Sequence, residues 1–221
     1  MDDSAATILI EPGRGVYDAR RAAALAGVPK SILHYWAREG IYAPSIARGP
    51  RLRLWSWADL LALRAIDWLR HKKRQNEPAA KSVRKIRQAT SELSELGLQH
   101  EVFAEMVRVS ATGDLYFPVD ETDMQATPAQ QGAWAELLQF VRPYHAAPDL
   151  LQPRPLLRII PGKLHGEPHL LDTRIPSAAI YTLHERGYTL QDLVAMYPEA
   201  SEPGLRSAID FEHSLRLPRA A

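Results

Sequence analysis

Three arginines, Arg48, Arg51 and Arg53, crowd around the turn pair Gly49-Pro50 in the stretch IYAPSIARGPRLRLW. Guanidinium groups with few acidic neighbours are suited to phosphate oxygens, which they meet as charged forks. Just upstream, Tyr35 and Trp36 place two aromatic rings near this charge. Tyr35 can stack on a nucleic-acid backbone or pack inward, whereas Trp36, at core spacing, is read as packing. A second set, His165, Glu167, His169 and Asp172, has metal-ligand and proton-transfer chemistry at short spacing. It lies in a Gly-Pro loop without the helical register that would aim two imidazoles at one ion, so neither a metal site nor a general base is expected there. Thr173 and Arg174 lead straight into a helix start and are read as stabilising that loop. There is no Gly-rich phosphate loop, no Gly-x-Ser-x-Gly elbow and no outstanding pair of carboxylates, so neither an enzyme nor a cofactor is expected.

Of the 221 residues 46% are apolar, enough for real cores and against disorder throughout. The absence of cysteine removes disulfides, thiolate metal sites and cysteine nucleophiles together, and fits a reducing compartment. The start, MDDSAATILIEPGRG, has only Ile8 to Ile10 as an apolar run. That is too short for a signal peptide or a membrane span, so a cytoplasmic location without membrane is expected. The formal net charge of +1 hides a segregation, because residues 14 to 87 hold 17 Lys+Arg against 5 Asp+Glu, and the remainder holds 10 against 21. A solvated charged face is the plainer explanation, but one-sided charge with interleaved aromatics favours a nucleic acid over a neutral ligand.

The elements that must position these residues are legible from caps and periodicity. Asp18 can cap a helix from Ala19 to Ala26, which Gly27 stops. After the Gly27-Val28-Pro29 turn, KSILHYWAREG places Ile32, Leu33 and Trp36 at helical spacing and ends on Gly40. Two short helices about a tight turn form a helix-turn-helix, whose second helix is the natural reader of a major groove. The arginine-rich stretch then reads as a basic hairpin or wing. Ser56 with Asp59 opens a third helix that lines Leu60, Leu63, Ile66 and Leu69 on one face, and Lys72 to Arg74 either cap its end or touch DNA. A fourth helix is expected from Pro78 to Leu96, a β-hairpin over 105 to 119, and a short helix in GAWAELLQFVRP. The proline-rich run Pro143 to Pro155 reads as a boundary that few contacts cross. Beyond it, LLRII and PHLL read as extended pieces. Helices follow over 177 to 186, over LQDLVAMY behind Thr189, and from Pro203 to Leu215.

The pattern Y-D-A-R-R-A-A-x-L-A-G-V, then L-H-Y-W-A-R-E-G-I, then R-L-W-S-W-A-D-L, resembles the DNA-binding domain of the MerR family over Val16 to Arg70. The resemblance implies base contacts from Lys30, Ser31, His34 and Tyr35, and phosphate contacts from Arg38, Arg51 and Arg53, with Arg48 alongside on the wing. His34 stands where the family often has an arginine, and Trp55 where it usually has a tyrosine. From Ile159 to Phe211 the block G-x-P…T-R-I-P, followed by G-Y-T-L-Q-D-L and Y-P, resembles a small family, once only a domain of unknown function, that is associated with VapB-type antitoxins. Asp172 replaces the glycine usual before Thr-Arg.

Together these imply a mainly α chain: a winged helix-turn-helix, a small C-terminal helical bundle and a short β-hairpin region between. The expected division is a tail over 1–13, the winged helix over 14–96, the hairpin and linker over 97–149 and the antitoxin-like domain over 150–217. The implied function is a DNA-binding antitoxin that represses its own operon and neutralises a PIN-like ribonuclease toxin, with Arg216 and Arg219 as candidate toxin contacts. The alternative is a MerR-like regulator that responds to a small effector. Expected partners are double-stranded operator DNA, the toxin and a second copy of the chain.

Overall fold

The computed structural model describes residues 15–49, 51–70, 108–109, 115–116 and 140–217. Helix α1 (Ala19–Ala26) begins where the Asp18 carboxylate accepts the backbone N–H of Arg21 at 2.7 Å. It ends at Gly27, whose φ of 79° is left-handed and where an added Cβ would stand 2.8 Å from that of Ala147. Helix α2 (Lys30–Arg38) buries Leu33 and Trp36 against α1 and α3. Strands β1 (Ala47–Arg48) and β2 (Arg53–Leu54) pair antiparallel, Ala47 opposite Leu54 and Arg48 opposite Arg53, and make the expected wing. Tyr17 and Trp55 exchange backbone hydrogen bonds at 2.9 Å and anchor the wing's root.

Helix α3 (Trp57–Arg70) opens on the expected reciprocal cap: Ser56 Oγ accepts from Asp59 N at 3.1 Å and Asp59 Oδ2 from Ser56 N at 2.8 Å. The same carboxylate accepts from the Tyr42 hydroxyl and from the backbone and side chain of Ser45. Burial pushes the Asp59 carboxyl up from the ordinary aspartate value, against the pull of these donors. The expected apolar face of α3 is inside at Leu60, Leu63 and Ile66, but Leu61, Ala62 and Ala65 are buried too; the side chain of Leu69 lies outside the described residues. The extra cover comes from the segment after Phe140, whose ring meets Trp68 edge-on with centroids 6.0 Å apart.

The helix expected over 78–96, the charged run Lys72 to Arg74 and most of 97–139 lie outside the described residues. Within the expected hairpin, β3 (Arg108–Val109) pairs antiparallel with β4 (Leu115–Tyr116). Further on, the two extended pieces pair with each other as β5 (Leu157–Arg158) and β6 (His169–Leu170). Helices α4 (Ser177–Glu185), α5 (Leu190–Met196) and α6 (Glu202–Arg216) follow, α5 opened by the Thr189–Asp192 capping box and α6 by Ser201. Ile180, Leu193, Leu205, Ala208 and Phe211 turn inward onto β6 and one another. The fold is mainly α.

The expectation that few contacts cross the Pro143 to Pro155 connection does not hold. One contiguous apolar core runs from Tyr17 and Leu25 through α3 to Leu150, Leu157 and Phe211. Two inward-turned arginines tie it together, Arg64 fully buried and Arg21 partly so. Arg64, fully buried on α3, donates to the carbonyls of Leu25 (2.6 Å), Phe140 (2.7 Å), Arg142 (2.7 Å) and Pro148 (2.6 Å). Arg21 on α1 grips Glu212 on α6 with two parallel hydrogen bonds of 2.7 and 2.8 Å and reaches Glu167 at 2.9 Å. Taking a guanidinium out of water is costly, and here the terminal nitrogens of both arginines are met in this way.

The seam closes on Gly166, whose carbonyl accepts the buried Tyr17 hydroxyl at 2.9 Å and whose φ is 78°. A Cβ there would lie 2.2 Å from that hydroxyl oxygen. Gly166→Ala is therefore expected to lower the stability of the chain by about 2–4 kcal/mol in urea unfolding. Asp172 also sits at a left-handed φ of 58° but is exposed, so Asp172→Gly should be neutral or gain up to about 1 kcal/mol. Equal effects of the two substitutions would contradict the close-packed seam.

Candidate nucleic-acid interface

Helical spacing puts Lys30, Ser31, His34, Tyr35 and Arg38 on the side of α2 opposite Leu33 and Trp36. Lys30, Ser31, Tyr35 and Arg38 are exposed and His34 is half-buried. The wing stands beside this face. Arg48 and Arg51 are exposed on it, and Arg53 is half-buried where β2 turns toward α2. The eight residues read from the sequence are thus carried by a helix and the adjoining hairpin, which meet at the His34–Arg53 contact. Leu52, 58% exposed, projects between Arg51 and Arg53 as an apolar tip.

The side chains are partly pre-arranged. Arg48 Nε donates to the Pro44 carbonyl at 3.1 Å, which leaves the ends of its guanidinium for other acceptors. Arg38 lies 5.8 Å from the centre of the Tyr35 ring and pairs with Glu39 at 3.1 Å. That pair is exposed and of little energetic weight, so a phosphate can displace it. His34 turns from its own helix toward the wing: its Nδ1 lies 3.1 Å from Arg53 Nη1, and its ring meets Trp55 edge-on. Burial, then the charges of Arg53 and Lys30, push its pKa below the ordinary histidine value.

The basic stretch is less available than its count implies. Arg21 and Arg64 point inward, and Arg70 stacks over Trp36 with its guanidinium 5.5 Å from the ring. Sequence patterning carries the warning for Arg64, which interrupts the apolar run LLALRAI. It carries one for Glu212 too, which falls on the same helical stripe as Leu205, Ala208 and Leu215.

In the C-terminal half, the exposed His165 accepts the Val16 N–H at its carbonyl, Glu167 pairs with Arg21, the buried His169 has its Nδ1 3.0 Å from the Glu167 carbonyl, and Asp172 faces solvent. These four side chains do not converge, and no group of three or more such residues among the described ones is placed to hold an ion. Arg216 pairs with Glu185 and lies 4.1 Å from the centre of the Tyr181 ring; Arg219 lies outside the described residues. No helix among the described residues is long and apolar enough to cross a membrane.

Residues 17–85 match the MerR HTH family of regulatory proteins. The chain carries a MerR-type helix-turn-helix. Residues 158–211 match a family described as a protein of unknown function, DUF433, so α4, α5 and most of α6 form a DUF433 domain behind the winged helix. No curated protein matches the chain. Among solved structures, the crystal structure of Rv2018 from Mycobacterium tuberculosis is 14% identical over 88% of this chain and 96% of that one, with a TM-score of 0.38. That likeness is too distant for the arrangement of one to bear on the other.

Two histidines titrate differently in the folded chain. Burial lowers the pKa of His34 and, more deeply inside, that of His169. Between the lowered values and the ordinary histidine value of about 6.5 the unfolded chain binds more protons, so stability rises with pH there. Their contribution is complete above that value and is lost as pH falls through the lowered ones. On acidification from about pH 7 to about pH 5 the unsubstituted chain should accordingly fare worse in urea midpoint than the double variant His34→Asn/His169→Asn. That difference isolates the histidines from Asp59 and Glu167, whose raised carboxyls act in the opposite sense. The same pH dependence in both proteins would contradict this.

Proposed function

We propose that the chain is a non-enzymatic antitoxin and autorepressor, which binds duplex DNA upstream of its own gene and neutralises a PIN-like ribonuclease toxin. The observation that carries the DNA-binding half is the exposed row Lys30, Ser31, Tyr35 and Arg38 on α2, beside the wing arginines. A reading helix with flanking cations suits a major groove and its phosphates. The antitoxin half rests on the resemblance of the C-terminal module, and the cytoplasm is where both partners would be met. Arg216 is the described candidate for the toxin: its partly exposed pair with Glu185 can be exchanged for the carboxylates of a nuclease active site, and Arg219 would follow it.

Long-range steering of this module toward a basic surface has little support in its charge. Residues 150–217 hold 7 Lys+Arg and 8 Asp+Glu, so the acidic excess lies mainly elsewhere in the chain. A second reading, an effector-responsive regulator, has one observation in its favour. A cleft of about 410 Å³ opens between α1, α4 and α6, lined by Arg20, Arg21, Glu167, Glu212 and Arg216. A small ligand there would sit on the seam that joins the winged helix to the C-terminal module. We take the chain to act as a dimer on two half-sites.

Binding to the upstream duplex should weaken steeply with salt, as counterion release requires. Arg51→Ala should weaken binding to all sequences alike and reduce the slope of log affinity against log salt by about 1, whereas Lys30→Ala should change preference at particular base pairs. Co-expression with the product of the adjacent reading frame should yield a complex in which RNA cleavage is suppressed. Loss of binding confined to one sequence on Arg51→Ala, or a ligand-dependent affinity with no toxin complex, would favour the second reading or refute both.

A further inference from the structure

The wing is slight: two strands of two residues each, rooted at Tyr17–Trp55 and at the Ser45–Asp59 contacts. Such a ribbon is only marginally ordered by its own pairing. His34 Nδ1 and Arg53 Nη1, 3.1 Å apart, form a direct side-chain tie from the outer face of α2 to β2. A guanidinium has donors only, so Nδ1 must accept and the imidazole proton must sit on Nε2. The surroundings hold His34 in that neutral form. Its ring is partly shielded against Trp55, and the charges facing it are cations, Arg53 from β2 and Lys30 from its own helix.

Resting on the DNA-binding reading above, we propose that His34 is a positioning residue for the wing rather than a reader of bases: it holds the Arg53 guanidinium against α2 so that helix and wing meet the duplex in a fixed register. The expectation that His34 contacts bases directly follows from its place on α2. Its geometry turns its acceptor nitrogen to the wing instead. Arg53 then keeps its remaining donors for a phosphate, already ordered before DNA arrives, which spares the cost of immobilising a long side chain on binding. An asparagine at position 34 offers a carbonyl oxygen close to where Nδ1 sits and can take the same hydrogen bond; a leucine fills space and cannot.

The test is a double-mutant cycle with the full chain, read as affinity for the duplex immediately upstream of its own gene and for a scrambled duplex of equal length and composition. His34→Leu and Arg53→Ala should each weaken binding to both duplexes by a similar factor, roughly fivefold, and each should reduce the salt slope by about 1. The double substitution should be no worse than Arg53→Ala alone, and His34→Asn should restore binding to near that of the unsubstituted chain. Thermal melts confirm that each variant folds. Losses that multiply in the double variant, a failure of His34→Asn to rescue, or a His34→Leu effect on the upstream duplex only would overturn the inference and return His34 to base reading. Absence of binding by the unsubstituted chain would overturn the DNA-binding reading, and this inference with it.

Discussion

Arg21 and Glu212 are 191 positions apart and meet as a two-pronged ion pair on the line where α1 lies against α6. Burial pulls the Arg21 guanidinium toward losing its proton, but the hydrogen bonds and charges of Glu212 and Glu167 more than offset this and raise its pKa. The Ser177 hydroxyl at the start of α4 donates to the same Glu212 carboxylate, so one buried anion fixes three helices. Removing one member of such a pair leaves an uncompensated charge inside, which costs far more than the pair itself contributes. This contact, with the Tyr17–Gly166 and Val16–His165 hydrogen bonds beside it, ties the C-terminal module to the helix-turn-helix.

Arg64 plays the corresponding part from the other side. Its four carbonyl partners belong to the C-terminal end of α1 and to the segment between Phe140 and Pro148. These carbonyls sit in the last turn of a helix and in a largely irregular segment, where helical N–H partners run out, and a planar fork with several donors can serve them at once. The helix-turn-helix is thereby held between the buried Arg64 and the part-buried Arg21, while the cations at its outer surface stay in solvent. The division of labour among arginines follows from burial alone. Inward guanidiniums organise the body, and outward ones remain available to a polyanion.

Helix ends are legible in the residue types themselves. Asp18, the Ser56–Asp59 and Thr189–Asp192 boxes and Gly27 each act within one helical turn, so nothing beyond local sequence is needed to place them. The face of α2 that carries Lys30, Tyr35 and Arg38 is legible for the same reason, since helical spacing fixes it. Features that escape the sequence depend on partners far along the chain. Arg21 and Arg64 look like part of a basic surface until Glu212 and a set of distant carbonyls claim them. Pro143 to Pro155 looks like a linker because prolines mark breaks in regular structure, yet Ala147 and Leu150 are buried, Leu150 in the common core. His34 lies on the reading face by spacing, and only the fold of the wing shows that its acceptor nitrogen is turned aside. Asp172 departs from a glycine pattern at a position that the backbone does hold left-handed, so the pattern is informative and the substitution is tolerated.

The winged helix and the C-terminal module are thus packed together through the Arg21–Glu212 seam and a shared core, an arrangement from which cooperative unfolding is expected. Scanning calorimetry of the full chain, alone and with duplex DNA, tests this most directly. A single transition, with calorimetric and van't Hoff enthalpies in agreement and with the whole transition moving to higher temperature on DNA, is the predicted result. Two transitions, of which DNA raises only one, would show that the modules fold independently and would contradict it.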